Sequence, residues 1–158
     1  MTKLLNTLMV VAALTGACKI YRETIGNPRH LDLPLTAQYI QGPELVPDRP
    51  ALVEIWATWC TPCQESIPHL NELKQRYGSR GLQIVGITDE SGPTIAAFMR
   101  QIPIQYSICS DPENHYARAL SVSSLPQAFL VDTQGHIVWH GHPMTVPTDI
   151  LENLLPNQ

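Results

Sequence analysis

The chain predicts an α/β fold on a mixed β-sheet, because strand-like and helix-like periods alternate along it and the last two strand-like runs form a hairpin. Helical crossovers between strands call for parallel pairing, whereas a hairpin is antiparallel. The sheet is therefore mixed rather than all parallel.

Each element has its own signal. Pro28, Pro34, Pro43, Pro47 and Pro50 forbid a long helix before residue 51, leaving room for a short edge strand at Gln38–Gln41. Ala51–Trp56 is a continuous apolar run broken by one acid, Glu54, and reads as a buried strand. Pro62–Tyr77 follows as a helix with Ile67, Leu70, Leu73 and Tyr77 on one face, and Pro68 is expected to kink it. Leu82–Thr88 is a second buried strand, Pro93–Gln101 a helix, Gln105–Cys109 a short strand and Pro112–Leu120 another helix. Ala128–Asp132 and His136–His140 flank the turn Thr133-Gln134-Gly135, and an amphipathic helix at Pro147–Leu155 closes the chain.

A length of 158 residues suits one domain of ordinary size with a real core. A net charge of −4 with few charged residues offers no basic patch for a nucleic acid. The four cysteines, 18, 60, 63 and 109, are too few for a disulfide scaffold.

The first seventeen residues have the pattern of a signal peptide, with Lys3 as the one charge, an apolar core at Leu8–Leu14 and small residues at Thr15-Gly16-Ala17. Leu4–Ala17 falls short of the about 20 residues that span a bilayer. Leu14-Thr15-Gly16-Ala17-Cys18 is similar to a bacterial lipoprotein box, although Thr15 stands where Leu is usual. Two outcomes stay open, lipidation of Cys18 as the first mature residue and simple cleavage after Ala17. Residues 18–35 then form a tether and 36–158 the domain.

The most informative stretch is Trp56-Ala57-Thr58-Trp59-Cys60-Thr61-Pro62-Cys63. It sets two thiols between a buried strand and a helix. A thiol in the first helical turn feels the unpaired N–H groups there, which favours thiolate. A second thiol one turn on is placed to close a small disulfide ring. Zinc needs another Cys or His pair at matching spacing, and none follows. Gln64 after Cys63 excludes covalent haem attachment. A disulfide closing so short a loop removes little chain entropy, so a purely structural bond is disfavoured against redox chemistry.

Glu54 to Cys63 resembles the active-site strand and turn of thioredoxin-like proteins, and Ser124-Leu125-Pro126-Gln127-Ala128-Phe129-Leu130-Val131-Asp132 resembles that family's cis-proline loop and following strand. The interval between Cys63 and Pro126 is longer than in thioredoxin, and an extra helix and strand near Pro93–Cys109 account for it. Together with an export segment, this is similar to the TlpA/ResA-like membrane-tethered thiol–disulfide oxidoreductases of the bacterial envelope, which carry a redoxin domain. The resemblance covers roughly residues 36 to 155 and implies a thioredoxin-like fold, a central mixed β-sheet flanked by helices, with a helix–strand insertion between the active-site helix and the cis-Pro loop.

It also implies roles. Cys60 is the exposed attacking thiolate and Cys63 the resolving thiol that breaks the mixed disulfide. Thr61 and Pro62 tune the pair, and Trp59 covers the motif from the solvent side. Pro126 packs against the disulfide, leaving Leu125 to offer strand-like hydrogen bonds to a bound peptide. Glu54 matches the buried acid that moves a proton on and off the inner thiol. The lysine with which thioredoxin pairs that acid is absent from Leu82–Asp89, and a second reading, a Glu at the end of an edge strand in water, stays open. Many tethered reductases carry another Glu three residues after the second Cys; Ser66 stands there, with Glu65 one place early, so that role is not carried over.

The expected activity is reduction of protein disulfides in the periplasm or on the extracytoplasmic face. It has no cofactor beyond the Cys60–Cys63 disulfide and no metal. Its partners are protein thiol or disulfide clients, a transmembrane electron donor of the envelope, and the membrane through a lipid or N-terminal anchor. Two rivals remain. A peroxiredoxin-like peroxidase needs a Pro-x-x-x-Thr-x-x-Cys setting that is missing, and an envelope copper carrier would use both thiols with His136 or His142. His136, His140 and His142 read more simply as exposed polar positions, His69 and His115 as surface helix residues, Cys109 as a buried free thiol, and Asp132-Thr133-Gln134-Gly135 as a turn.

Overall fold

Six strands lie side by side in one sheet, where their backbone N–H and C=O groups satisfy one another away from water. In the computed structural model, which describes residues 30–32 and 35–156, they are β1 (Gln38–Gln41), β2 (Ala51–Ile55), β3 (Gln83–Thr88), β4 (Ser107–Ser110), β5 (Gln127–Val131) and β6 (Ile137–Gly141). The sheet order is β1-β4-β3-β2-β5-β6. β2, β3 and β4 run parallel, while β1, β5 and β6 pair antiparallel with their neighbours. The mixed sheet expected from the terminal hairpin is the one found.

Alternation along β2 sorts two cores. Ala51, Val53 and Ile55 face a cluster with Leu31, Leu35, Leu45, Val85, Tyr116 and Phe129. Leu52 and Trp56 face the other cluster, made with Ile67, Leu70 and Leu73 of helix α1 (Thr61–Tyr77), Ile95 of α2 (Gly92–Met99) and Leu151 of α4 (Thr148–Leu154). Helix α3 (His115–Ala119) covers the first face. Glu54 shares its parity with Leu52 and Trp56 and so points toward α1.

Several expected boundaries shift for local reasons. Helix α1 runs without a break through Pro68, which withholds the N–H that Gln64 would otherwise receive. Helix α2 starts on a Ser91 cap with Pro93 in its first turn, and ends at Met99 rather than Gln101. The chain tightens there, with Gln101 N donating to Phe98 O, because Pro103 disfavours helix in the residue before it. Helix α2 and strand β4 supply the extra pair expected between α1 and Pro126, and β4 inserts between β1 and β3.

The end of the expected tether is part of the packed body. Leu31 and Leu35 are buried, Leu31 N donates to Gly135 O at 2.8 Å, and His30 bridges to His136. Gly135 allows this approach: its φ is 84°, and a Cβ there would meet His30 Nε2 at 2.7 Å. Packing therefore begins ahead of residue 36. The signal-peptide stretch 1–17 and Cys18 lie outside the described residues.

Candidate active site

The turn that delivers the two thiols is held from below. Trp56 N donates to Ile87 O, carrying the β2–β3 ladder one residue further, and the chain then turns through Ala57–Trp59. Thr58 is clamped by Glu90, just beyond β3, whose carboxylate accepts from Thr58 N and from Thr58 Oγ1 at 2.6 Å each. Thr88 Oγ1 donates to the same carboxylate, and Gln64 Nε2 returns from α1 to Thr58 O. Charge-assisted bonds of this kind are the stronger ones.

Cys60 is the N-cap of α1, and its Sγ accepts from Cys63 N at 3.3 Å. This is the N-cap interaction ordinarily made by Ser or Asp oxygen. When the sulfur carries negative charge, the same N–H and the helix dipole stabilise it. The two cysteines are joined, with Cα atoms 5.2 Å apart. Cys60 is 5% exposed and Cys63 0%. The expectation of an exposed attacking thiol is thus corrected: the Cys60 sulfur folds back over the helix end, although it remains the outer of the two. Thr61 and Pro62 are exposed, and Trp59 stands out at 72%.

The peptide bond between Leu125 and Pro126 is cis, and Pro126 is buried. Trp59 and Leu125 share a shallow depression of about 250 Å³ with Trp56, Asp89, Asn114 and Ser124. A side chain that projects beside Cys60 and a loop that precedes Pro126 thus border one surface.

Glu54 lies on the central strand β2, opposite Gly86 of β3 and Ala128 of β5, and is fully buried. The reading of it as an edge-strand residue in water is excluded. Its Oε1 lies 2.9 Å from Ser66 Oγ, which in turn lies 2.7 Å from the Cys63 carbonyl oxygen. Burial drives its pKa up to about 8, offset in part by Ser66 and by the Tyr106 phenol. Tyr106 influences Glu54 without meeting hydrogen-bond geometry, and Glu54 Oε2 and Tyr106 Oη both lack a hydrogen-bond partner. On the β3 side, a Cβ on Gly86 would meet Trp56 Nε1 at 2.8 Å.

Ser66, Thr58, Glu90 and Tyr106 were not singled out as site residues by sequence reasoning. A signal existed for Ser66: an acid on the α1 face of a buried strand needs a donor from α1. Glu90 sits one residue after a charged neighbour, Asp89, in a turn, and nothing local marks it.

The other candidates lie elsewhere. Cys109 is a buried free thiol, as expected. Burial pushes it up to about 12, with Glu44 adding to the rise and Tyr39 opposing it. His136, His140 and His142 are exposed. Among the described residues no three His, Cys, Asp or Glu side chains gather as metal ligands. Asp132 accepts from Gln134 N and His136 N, closing the hairpin turn.

Known proteins resemble this chain in sequence and fold. The family model described as the AhpC/TSA family matches residues 35–140. A thiol-disulfide oxidoreductase ResA of Bacillus cereus (strain ZK / E33L) is 31% identical over 87 residues, covering 54% of this chain and 50% of the relative; the chain spans about half the length of the curated relatives it matches. The crystal structure of a putative thiol:disulfide interchange protein DsbE from Chlorobium tepidum superposes with a TM-score of 0.58 at 27% identity, covering 68% of this chain and 77% of that one. A thiol-disulfide oxidoreductase from Bacteroides fragilis NCTC 9343 shares the fold, with a TM-score of 0.64 at 20% identity over 82% of this chain and 100% of that one. With two thirds of its length matched by the family model, on a thioredoxin-like fold, the chain belongs to the AhpC/TSA family.

Proposed function

We propose that this protein is a thiol–disulfide oxidoreductase that reduces disulfides in client proteins. The observation that carries the reading is the Cys60–Cys63 pair at the N-terminus of α1, its outer sulfur already receiving the Cys63 N–H. Relatives named thiol-disulfide oxidoreductase support it.

In the reduced protein, Cys60 thiolate attacks a client disulfide, forming a mixed disulfide and expelling one client thiolate. Cys63 then attacks Cys60 Sγ, which expels the second client thiolate and closes the Cys60–Cys63 bond. Two electrons pass to the client, and the proton leaving Cys63 goes to Glu54. Trp59, Thr61, Pro62 and Leu125 form the surface against which the client peptide lies, beside Pro126. The exchange needs no metal or bound cofactor. An electron donor in the membrane restores the dithiol.

The N-terminal sequence supports export to the extracytoplasmic side, with Cys18 as the point of lipid attachment. Among the described residues no helix is long and apolar enough to cross a membrane. Mass spectrometry of the mature N-terminus tests this part, and an unmodified Cys18 removes the lipid anchor.

The activity itself is tested by insulin reduction and by mixed-disulfide trapping. Cys63→Ala is expected to hold clients covalently through Cys60, and Cys60→Ala to hold none. Linkage through Cys63 instead reverses the roles. Consumption of peroxide without disulfide reduction would replace the reading by the peroxidase one.

A further inference from the structure

Ser66 has one proton to give and two oxygens that want it. Its hydroxyl lies 2.9 Å from Glu54 Oε1 and 2.7 Å from the Cys63 carbonyl oxygen, and it is fully buried. A carbonyl oxygen only accepts, and so does an ionised carboxylate. With Glu54 ionised, Ser66 satisfies one of the two and leaves the other. With Glu54 protonated, both contacts hold at once: Glu54 donates to Ser66 Oγ, and Ser66 donates to Cys63 O.

We propose that Ser66 is a positioning residue that couples the protonation of Glu54 to the first turn of α1. When Glu54 gives up its proton, Ser66 turns its own toward the carboxylate and lets go of the Cys63 carbonyl. When Glu54 regains the proton, the chain Glu54–Ser66–Cys63 O closes again.

The surroundings make Ser66 the decisive partner. Glu54 Oε2 has no hydrogen bond. The strand neighbours Gly86 and Ala128 carry no titratable group. From α1 the facing residue besides Ser66 is Cys63, which is locked in the disulfide. From the segment before β4 it is Tyr106, whose phenol is raised well above its ordinary value and stays neutral. Among the described residues no cation adjusts the carboxylate.

This deepens the oxidoreductase reading and rests on it for its consequence: the carbonyl released belongs to the residue whose thiol resolves the mixed disulfide. The coupling itself needs no turnover, so it is tested in the oxidised protein. Carboxyl ¹³C resonances of labelled Glu are followed against pH, with Glu54→Gln identifying the signal, and the Cys63 carbonyl ¹³C shift is followed in the same samples. In the wild type both are expected to move with one midpoint, near the value of about 8 that burial imposes.

Ser66→Ala removes a hydrogen bond to a charged group, which raises the Glu54 midpoint by about one to two pH units and leaves the Cys63 carbonyl flat across it. Ser66→Cys, of similar size and a weaker donor, raises it by less and serves alone if the alanine variant does not fold. A Cys63 carbonyl that does not follow Glu54 in the wild type, or a folded Ser66 variant with an unmoved or lowered midpoint, overturns the proposal. Failure of insulin reduction would remove the oxidoreductase reading and leave this coupling standing.

Discussion

Cys60 and Cys109 are both buried sulfurs within one domain, at 5% and 0% exposure, yet their surroundings do opposite things. Cys60 caps a helix and receives an N–H from Cys63. Cys109 sits within strand β4, paired with Tyr39 of β1, where burial and Glu44 push its pKa to about 12. A low residue exposure by itself therefore does not decide whether a thiol is reactive. At Cys109 the desolvation of a charged sulfur outweighs the one donor that meets it, the Tyr39 hydroxyl, whereas at Cys60 the helix end offers the Cys63 N–H together with the helix dipole.

That contrast breaks most easily at the cysteines themselves. Cys60→Ala is expected to reduce insulin reduction to the uncatalysed background, and Cys109→Ala to leave it within about two-fold, since such buried structural thiols are inert. In the reduced, folded protein at pH 8, a thiol with a pKa of about 12 is thiolate in about one molecule in ten thousand. Iodoacetamide should thus label Cys60 rapidly and Cys109 only after denaturation. Labelling of native Cys109 at a comparable rate would erase the distinction.

Glu54→Gln tests whether the buried acid belongs to the reactive side of the comparison. Exchange is expected to slow by about a hundred-fold, the lower end of what a positioned proton-transfer group supplies. The loss should grow as pH rises toward about 8, where the wild-type carboxylate ionises. Identical pH–rate profiles would make Glu54 a spectator.

The same group also marks stability. Its folded pKa of about 8 exceeds the ordinary carboxyl value of 4.5, so between these pH values the folded state binds more protons than the unfolded. Wild-type stability from this group is complete below about 4.5 and is lost as pH rises to 8. Denaturant titrations should show Glu54→Gln gaining on the wild type across that window, by on the order of a few kcal/mol. A constant difference would mean that Glu54 is not buried as an acid.

The smallest expected effect concerns the clamp. Glu90→Gln keeps the shape and removes the charge that holds Thr58 N and Oγ1. A loss of about 1–2 kcal/mol in stability follows, with a few-fold slower exchange. An unchanged melting temperature would show that the Cys60 turn is held by α1 and Gln64 alone.

Much of this was legible beforehand because the signals are local. Periodicity and proline placement located the six strands and the four α-helices to within a few residues, and Cys60, Cys63 and the Leu125–Pro126 step each lie within a short recognisable string; the single 3-10 turns at Gly78–Arg80 and Pro143–Thr145 carry no such pattern. What was not legible depends on register between distant segments. Ser66 meets Glu54 only because the parity of β2 turns Glu54 toward α1 and α1 begins at Thr61, directly after its Cys60 cap. Glu90 reaches Thr58 through the parallel β2–β3 pairing. The burial of Cys60 reflects how its sulfur folds over the helix end, and the packing of Leu31 and Leu35 was hidden by the prolines around them.

Gly86 also narrows the paths open to this lineage. It stands beside Glu54 on β3, where a lysine could neutralise the acid, and the space of its missing side chain is taken by the Trp56 indole. A single substitution that installs a cation there must displace the Trp56 indole, at an overpacking cost of typically about 1–3 kcal/mol set against the electrostatic gain. Adaptation of the acid is thereby channelled to the helix side, where exchanging one small polar residue for another changes the site at little risk to the sheet.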